Sequence, residues 1–122
     1  MRNFGRYIAE KRKEKGLTLR DTANKLGISA PYLSDVEKGN RDSFDIDKLE
    51  ALSIILDLSK EEKSEMMDLA GENRGQFAPD VIDYAKGRTY VNAALRKAKD
   101  LDAGEEEWFR FIEELMKKNN ND

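Results

Sequence analysis

The sequence contains neither cysteine nor histidine among its 122 residues. Without cysteine the chain cannot form disulfides or thiolate metal sites, and it has no thiol nucleophile. Without histidine it also lacks the commonest general base and the commonest metal ligand. An enzyme built from this chain would have to rest on carboxylates alone. We therefore expect no catalytic residues, no metal site and no cofactor.

Proline and long apolar runs are also scarce. The chain has two prolines, no strand-like alternation, and no apolar run near the roughly 18 residues needed to cross a bilayer. Its first segment, MRNFGRYIAEKRKEKG, lacks the apolar middle of a signal peptide. These features predict an all-α protein that is soluble and cytoplasmic, most simply in a bacterium, with no membrane partner.

Charge is distributed unevenly, although the formal net charge is only -3. Residues 1–41 carry ten basic and five acidic side chains, a balance of +5, whereas residues 42–122 carry twelve and twenty, a balance of -8. Such asymmetry indicates that the first third of the chain faces a polyanion. Local patterning for solubility would give the same asymmetry and is the alternative interpretation.

The spacing of apolar residues predicts five short helices in the first part of the chain. Thr18 and Ser29 are the predicted N-caps of the second and third helices, and Ser59 is the predicted N-cap of the fifth. Residues 40–45 are predicted to be a polar loop before the fourth helix. Gly27 falls between the second and third helices. A short bend with glycine is typical of a helix-turn-helix, but an ordinary helical hairpin has the same pattern.

Beyond these helices, the sequence predicts a domain over residues 1–71, a linker over 72–78, and two to three C-terminal helices over 79–122. The tail KKNNND is expected to fray. One predicted C-terminal helix carries an apolar stripe that a lone helix cannot keep in water, so we expect it to contact a second copy or another protein. The alternative is that this stripe folds back on the domain through Val91 and Leu95, and both arrangements can hold together. The stripe consists of Trp108, Phe109, Ile112, Leu115 and Met116.

Four segments together resemble the XRE family of helix-turn-helix proteins, also called Cro-repressor or lambda-repressor-like. They read IAEKRKEKGLT, LRDTANKLGIS, APYLSDVEKGNR and IDKLEALSIIL. The resemblance spans residues 4–70 and weakens afterwards. It implies a five-helix DNA-binding domain in a transcriptional regulator. Such a regulator would be a repressor that acts as a homodimer on a pseudo-palindromic double-stranded operator, with a recognition helix at residues 29–38.

The resemblance also implies roles for individual residues. Arg12 and Glu37 occupy the positions of a structural ion pair between the first and third helices. The expected DNA-binding residues are those facing the groove and those near phosphates: Thr18, Arg20, Ser29, Ala30, Pro31, Tyr32, Ser34, Asp35, Lys38, Asn40 and Arg41. Lys11, Lys13 and Lys15 are interpreted as solvated surface charges.

The sequence departs from the family at the groove-facing positions. Leu19 replaces the frequent glutamine at the start of the second helix, and Ala30 and Pro31 offer only apolar contact. We therefore expect few direct contacts to bases, and we expect more of the sequence preference to come from DNA shape. Tyr32 is left with two interpretations, packing against the second helix or contacting DNA.

A second class of function fits the same sequence. Small proteins of this family also serve as antitoxins, which bind their own operator and neutralise a toxin through an appended segment. In that case the C-terminal helices bind a toxin or an anti-repressor instead of a second copy.

Overall fold

The computed structural model describes residues 3–120, with side chains up to residue 119. All regular secondary structure in this part of the chain is α-helical, which confirms the predicted all-α class. The chain divides into two compact units, one reaching Tyr84 and one starting at Ala85. The helices are α1 (Phe4–Glu14), α2 (Leu19–Leu26), α3 (Ala30–Glu37), α4 (Ile46–Ile55), α5 (Lys60–Asn73), α6 (Pro79–Ala85), α7 (Thr89–Asp100) and α8 (Glu105–Asn120).

Each of the first five helices begins at a side-chain cap. In every case an oxygen of the N-cap side chain accepts a hydrogen bond from the backbone N–H three residues later, which satisfies one of the unpaired donors of the first turn. Ser59 and Glu62 complete a reciprocal capping box at α5. The five caps are Asn3, Thr18, Ser29, Asp45 and Ser59.

The core of the first unit lies where α1 packs against α3 and α5, and α2 packs against α3 and α4. Apolar residues at helical spacing supply most of it, as the sequence predicts. Two residues of the predicted polar loop, Ser43 and Phe44, are nevertheless buried. The ring of Phe44 meets that of Phe4 edge to face, with centroids 6.1 Å apart. The predicted loop is present, but its description as polar was wrong at Phe44, because this aromatic ring enters the core.

The end of α5 differs from the predicted boundary. The helix continues through Asn73, two residues into the predicted linker. Gly71 is buried inside it, and a Cβ there would lie 2.5 Å from the carbonyl oxygen of Phe77. This glycine allows close approach of the returning chain instead of ending the helix. Since α6 up to Tyr84 belongs to the first unit, the division falls later than the predicted linker at 72–78.

The second unit contains α7 and α8. No side chain described between residues 85 and 119 is fully buried. Helix α8 extends to Asn120, so residues 117–120 of the tail that was expected to fray are helical. The last two tail residues and the predicted domain limits at 1 and 122 lie outside the described residues. Among the described helices, none has the length and apolar character needed to cross a membrane.

Candidate nucleic-acid interface

A tight bend joins α2 to α3, and each of these helices has one buried edge and one exposed edge. Gly27 ends α2 with a left-handed backbone (φ 77°), and the N–H of Ile28 donates to the carbonyl of Ala23 at 3.0 Å. Helix α3 turns Leu33 and Val36 into the core, each 1% exposed. Its other edge, starting at the N-cap, therefore remains open to solvent.

All eleven residues predicted to contact DNA lie on the surface, and none is fully buried. Most are exposed at the starts of α2 and α3 or in the loop that follows α3, and α3 presents the others with partial exposure. The exposed ones are Thr18, Arg20, Ser29, Pro31, Lys38, Asn40 and Arg41, whereas Ala30, Tyr32, Ser34 and Asp35 are partly exposed. The structure thus brings the predicted groove-facing and phosphate-facing residues onto one helix-turn-helix and its flanking loop.

An ion pair joins helix α1 to the C-terminal end of α3. Arg12 Nε donates to Glu37 Oε2 at 2.8 Å and Nη2 donates to Oε1 at 3.0 Å, a bidentate pair whose side chains are only 12% and 10% exposed. Arg12 Nη1 also donates to the carbonyl of Leu17 at 3.0 Å. The hydrogen bonds to Glu37 raise the pKa of Arg12. These two charged residues therefore join α1 to α3 and use their charges within the domain.

A glycine permits this close approach. Gly5 on α1 is buried, and a Cβ there would lie 2.4 Å from the carbonyl oxygen of Val36 and 2.6 Å from that of Glu37. Any larger residue would push α1 away from the end of α3. No local pattern in the sequence points to this position.

Tyr32 lies between the core and the loop after α3. Its ring meets Phe44 edge to face, with centroids 5.8 Å apart. The guanidinium of Arg41 lies over the same tyrosine ring, 4.6 Å from its centroid. Tyr32 is therefore partly packed against the loop residue Phe44, whereas the interpretation that it packs against the second helix stays a prediction.

The loop after α3 is also fixed to α5 through Ser43. The Ser43 N–H donates to Asn73 Oδ1 at 2.7 Å, and its hydroxyl donates to the carbonyl of Ala70 at 2.9 Å. The guanidinium of Arg74 donates to the Ser43 carbonyl through Nε, at 3.1 Å, and through Nη2. We call Ser43 with Ala70, Asn73 and Arg74 the Ser43 clamp. Because all three polar groups of this serine are bound, the loop is held at one point.

Sequence reasoning missed Phe44 and the Ser43 clamp. The available signal was a lone aromatic residue in an otherwise polar stretch, since a phenylalanine in a short loop between helices is usually buried. Nothing local in the sequence pairs Ser43 with residues about thirty positions later.

A second charged contact joins α1 to α5. Lys11, interpreted from sequence as a solvated charge, has a side chain only 12% exposed and donates to Glu62 Oε2 at 2.6 Å. This hydrogen bond raises the pKa of Lys11 and holds the pKa of the Glu62 carboxyl at about 2, below its usual 4.5. Lys11 is thus a structural residue of the first unit.

In the described part of the chain, no three acidic, histidine or cysteine side chains are grouped to hold a metal ion.

Comparison with known proteins gives matches centred on the same helices. The helix-turn-helix family model matches residues 8–63. The HTH-type transcriptional regulators SinR of Bacillus subtilis (strain 168) and of Bacillus licheniformis are each 40% identical over 56 residues, covering 46% of this chain and 50% of each relative. The matched part of this chain thus spans about half the length of these relatives.

A longer match extends over both units. The HTH-type transcriptional regulator DdrOP3 of Deinococcus deserti is 28% identical over 123 residues, covering 90% of this chain and 93% of the relative. Among solved structures, a chain of a SinR protein/SinI protein complex is 23% identical, with coverage of 96% and 98% and a TM-score of 0.47. By its motifs, its capped five-helix arrangement and these sequence matches, the N-terminal unit is similar to helix-turn-helix proteins of the XRE type (Cro-repressor, lambda-repressor-like).

Proposed function

We propose that this protein is a transcriptional regulator that binds double-stranded DNA in a sequence-specific manner, and that it represses transcription as a dimer on a pseudo-palindromic operator. The observation that carries the proposal is the open edge of α3. Its leading residues are accessible while Leu33 and Val36 anchor the helix in the core. A helix held in this way can insert its first turns into a major groove about 12 Å wide.

The groove-facing residues support a limited direct readout of bases. Ala30 and Pro31 can make only van der Waals contact, as with a thymine methyl group. Ser34 can donate or accept a hydrogen bond, and Asp35 can accept one from a cytosine amino group. Part of the sequence preference would then come from the shape and deformability of the DNA.

Phosphate contacts are proposed at two places, the start of α2 and the loop that follows α3. The first turn of α2, with Thr18 and Arg20, combines outward N–H groups with a cationic side chain, which suits an anion. The second place is the segment after α3, where the chain would pass close to a phosphate strand. It contains Lys38, Asn40 and Arg41. Contacts of this kind fix the register of the protein on DNA without reading sequence.

The proposed dimer contact is the apolar face of α8. Its five predicted residues keep between 38% and 61% of their surface accessible, from Trp108 to Met116. Phe111, which lies outside the predicted stripe, adds 49% exposure and meets Trp108 edge to face at 6.3 Å. A surface this apolar is typical of an interface. Pairing of two copies would also place two recognition helices on adjacent half-sites.

Selection of bound sequences from random duplex DNA tests the proposal. We expect a palindrome whose half-sites lie about one helical turn apart. Arg41→Ala should weaken binding to all sequences about equally and flatten its salt dependence, whereas Ser34→Ala should change the preferred bases. Lys13→Ala, which removes the same charge from an exposed site outside the interface, is the matched control. Recovery of no preferred sequence, or equal effects of Arg41→Ala and Lys13→Ala, would contradict the proposal.

The exposed face of α8 also supports the alternative of an antitoxin. An apolar helix face can bind a toxin or an anti-repressor as well as a second copy. Equilibrium sedimentation of the purified protein separates the two. A stable dimer that occupies this face favours the repressor, whereas a monomer that binds the product of a neighbouring gene through α8 favours the antitoxin.

A further inference from the structure

We propose that Tyr32 is a positioning residue that holds the guanidinium of Arg41 ready to bind a DNA phosphate. This inference rests on the proposed function and replaces a direct base contact for Tyr32 with an indirect role. The juxtaposition that carries it is the placement of Arg41 over the Tyr32 ring, with 4.6 Å between the guanidinium carbon and the ring centroid.

The tyrosine ring is itself held in place, so it can serve as a platform. It packs edge to face on Phe44, which is 2% exposed and in turn packs on Phe4 in the core. Aromatic pairs of this geometry are favourable and restrict ring motion. The orientation of the platform is thus set by the core of the domain.

The backbone that carries Arg41 is restrained from both sides. On one side the N–H of Asn40 donates to the Asp35 carbonyl at 2.8 Å, which ties the start of the loop to α3. On the other side the Ser43 clamp fixes the loop to α5. A long side chain that starts from a restrained backbone and rests on a fixed ring loses less conformational freedom on binding.

The chemistry of the guanidinium suits this arrangement. A guanidinium that lies over an aromatic ring with its planar face keeps its N–H donors in that plane, where they can still bind two phosphate oxygens. Within residues 3–119, no carboxylate forms an ion pair with Arg41 and competes for these donors. The exposed position of Arg41, just past the C-terminal end of α3, leaves it accessible to a duplex backbone.

A double-mutant cycle in the full-length chain tests the role of Tyr32. Tyr32→Leu, Arg41→Ala and the double variant are compared with the unaltered chain for binding to a mixed-sequence duplex of about two helical turns, over a range of salt concentrations. We expect Tyr32→Leu to weaken binding about threefold to tenfold in the unaltered chain, and to have no further effect once Arg41 is alanine. Tyr32→Phe, which keeps the ring, should bind within about twofold of the unaltered chain.

Two further measurements separate positioning by the ring from effects of charge alone. Without DNA, the side-chain protons of Arg41 should show ring-current shifts in nuclear magnetic resonance spectra of the unaltered chain and of Tyr32→Phe, but not of Tyr32→Leu. Arg41→Lys keeps the charge but not the planar fork, so it should restore only part of the affinity lost in Arg41→Ala. Thermal unfolding identifies any variant that has lost its fold.

The outcomes distinguish failure of this inference from failure of the proposed function. If Arg41→Ala leaves binding unchanged, the proposed phosphate contact is wrong, and this inference falls with it. If Arg41→Ala weakens binding but Tyr32→Leu costs the same in both backgrounds, only the positioning role is overturned. If Tyr32→Phe weakens binding as much as Tyr32→Leu does, the tyrosine hydroxyl contacts the DNA directly, and the positioning role is also overturned.

Discussion

Arg12 and Glu37 show how charge can serve structure within a domain that is expected to bind a polyanion. Their bidentate contact is largely removed from solvent and joins α1 to the last residue of α3. A largely buried ion pair does not by itself show a net gain in the stability of the fold. Removal of one partner, however, leaves the other charge unpaired in a region that little water reaches. The sequence identified the pair through a family resemblance, whereas its geometry comes from the fold.

Removal of one partner should therefore cost more than removal of both. We expect Arg12→Ala to lower the free energy of unfolding by about 2–4 kcal/mol, since Glu37 is left partly buried without a cation. The double variant Arg12→Met with Glu37→Met should recover much of this loss, because both charges are gone. Urea unfolding monitored by circular dichroism measures both. A double variant less stable than Arg12→Ala would contradict the interpretation.

Glu62 gives a pH dependence with a definite direction. Its pKa is about 2 in the folded chain, against an ordinary value of 4.5, because Lys11 hydrogen-bonds to the ionised carboxyl. The folded state therefore holds this proton less tightly than the unfolded state does. The contribution of the contact is fully present above pH 4.5 and is lost as the pH falls to about 2.

The variant Glu62→Gln isolates this contribution. We expect it to be less stable than the unaltered chain at neutral pH, and the difference should shrink as the pH is lowered from 4.5 to about 2. Urea unfolding at a series of pH values measures the difference. Glu61→Gln, at a neighbouring exposed position of the same helix turn, is the control and should show a smaller change. A difference that is independent of pH would rule out the titration of Glu62 as its cause.

At the scale of elements, the sequence pattern predicts some of the contacts that hold α3 and its following loop, but not all of them. Its N-cap Ser29 and its inward Leu33 and Val36 follow from local rules of capping and helical periodicity. The attachment of the following loop through Ser43 does not follow from such local rules. That attachment depends on bringing the end of α5 next to the loop, which only the packing of the whole domain can do.

The Ser43 clamp should therefore contribute measurably to stability. Ser43→Ala removes the hydroxyl that donates to the Ala70 carbonyl inside a buried region, and we expect a loss of about 1–2 kcal/mol in the free energy of unfolding. Ser53→Ala is the matched control, because the Ser53 hydroxyl donates only to the Glu50 carbonyl of its own helix. Ser53→Ala should lower the free energy of unfolding by less. Chemical denaturation of the two variants measures the comparison, and equal losses would show that the contact to α5 has no special weight.

At the scale of the whole molecule, the two units differ in how they bury apolar surface. The first unit has a contiguous core in which rings and aliphatic side chains of α1 to α5 are almost inaccessible. The second has no fully buried side chain among its described residues, although α8 carries a broad apolar face. Two helices without a core are marginal in water. We therefore expect the second unit to be stabilised by association.

A charge on the apolar face of α8 should disrupt this association. We expect the unaltered chain to sediment as a dimer and Ile112→Asp to raise its dissociation constant by about a hundredfold or more, since a carboxylate would have to be buried at the interface. The cooperative unfolding of the first unit should be retained, because α1 to α5 have their own core. Affinity for a palindromic duplex should fall towards that for a half-site. Arg110→Ala, at an exposed position outside the stripe, is the control. A monomeric unaltered chain would contradict the expectation.

The sequence by itself determined the helices, their caps and the motif at the bend, because these depend on neighbours within about four residues along the chain. It also identified the exposed edge of α3, since the inward positions of a short amphipathic helix fix the outward ones. Only the tertiary structure decided that Phe44 enters the core, that Gly71 lies within α5, and that Ser43 is clamped by residues near position 73. These contacts join residues distant in sequence, and no local pattern encodes which partners the folded core will bring together.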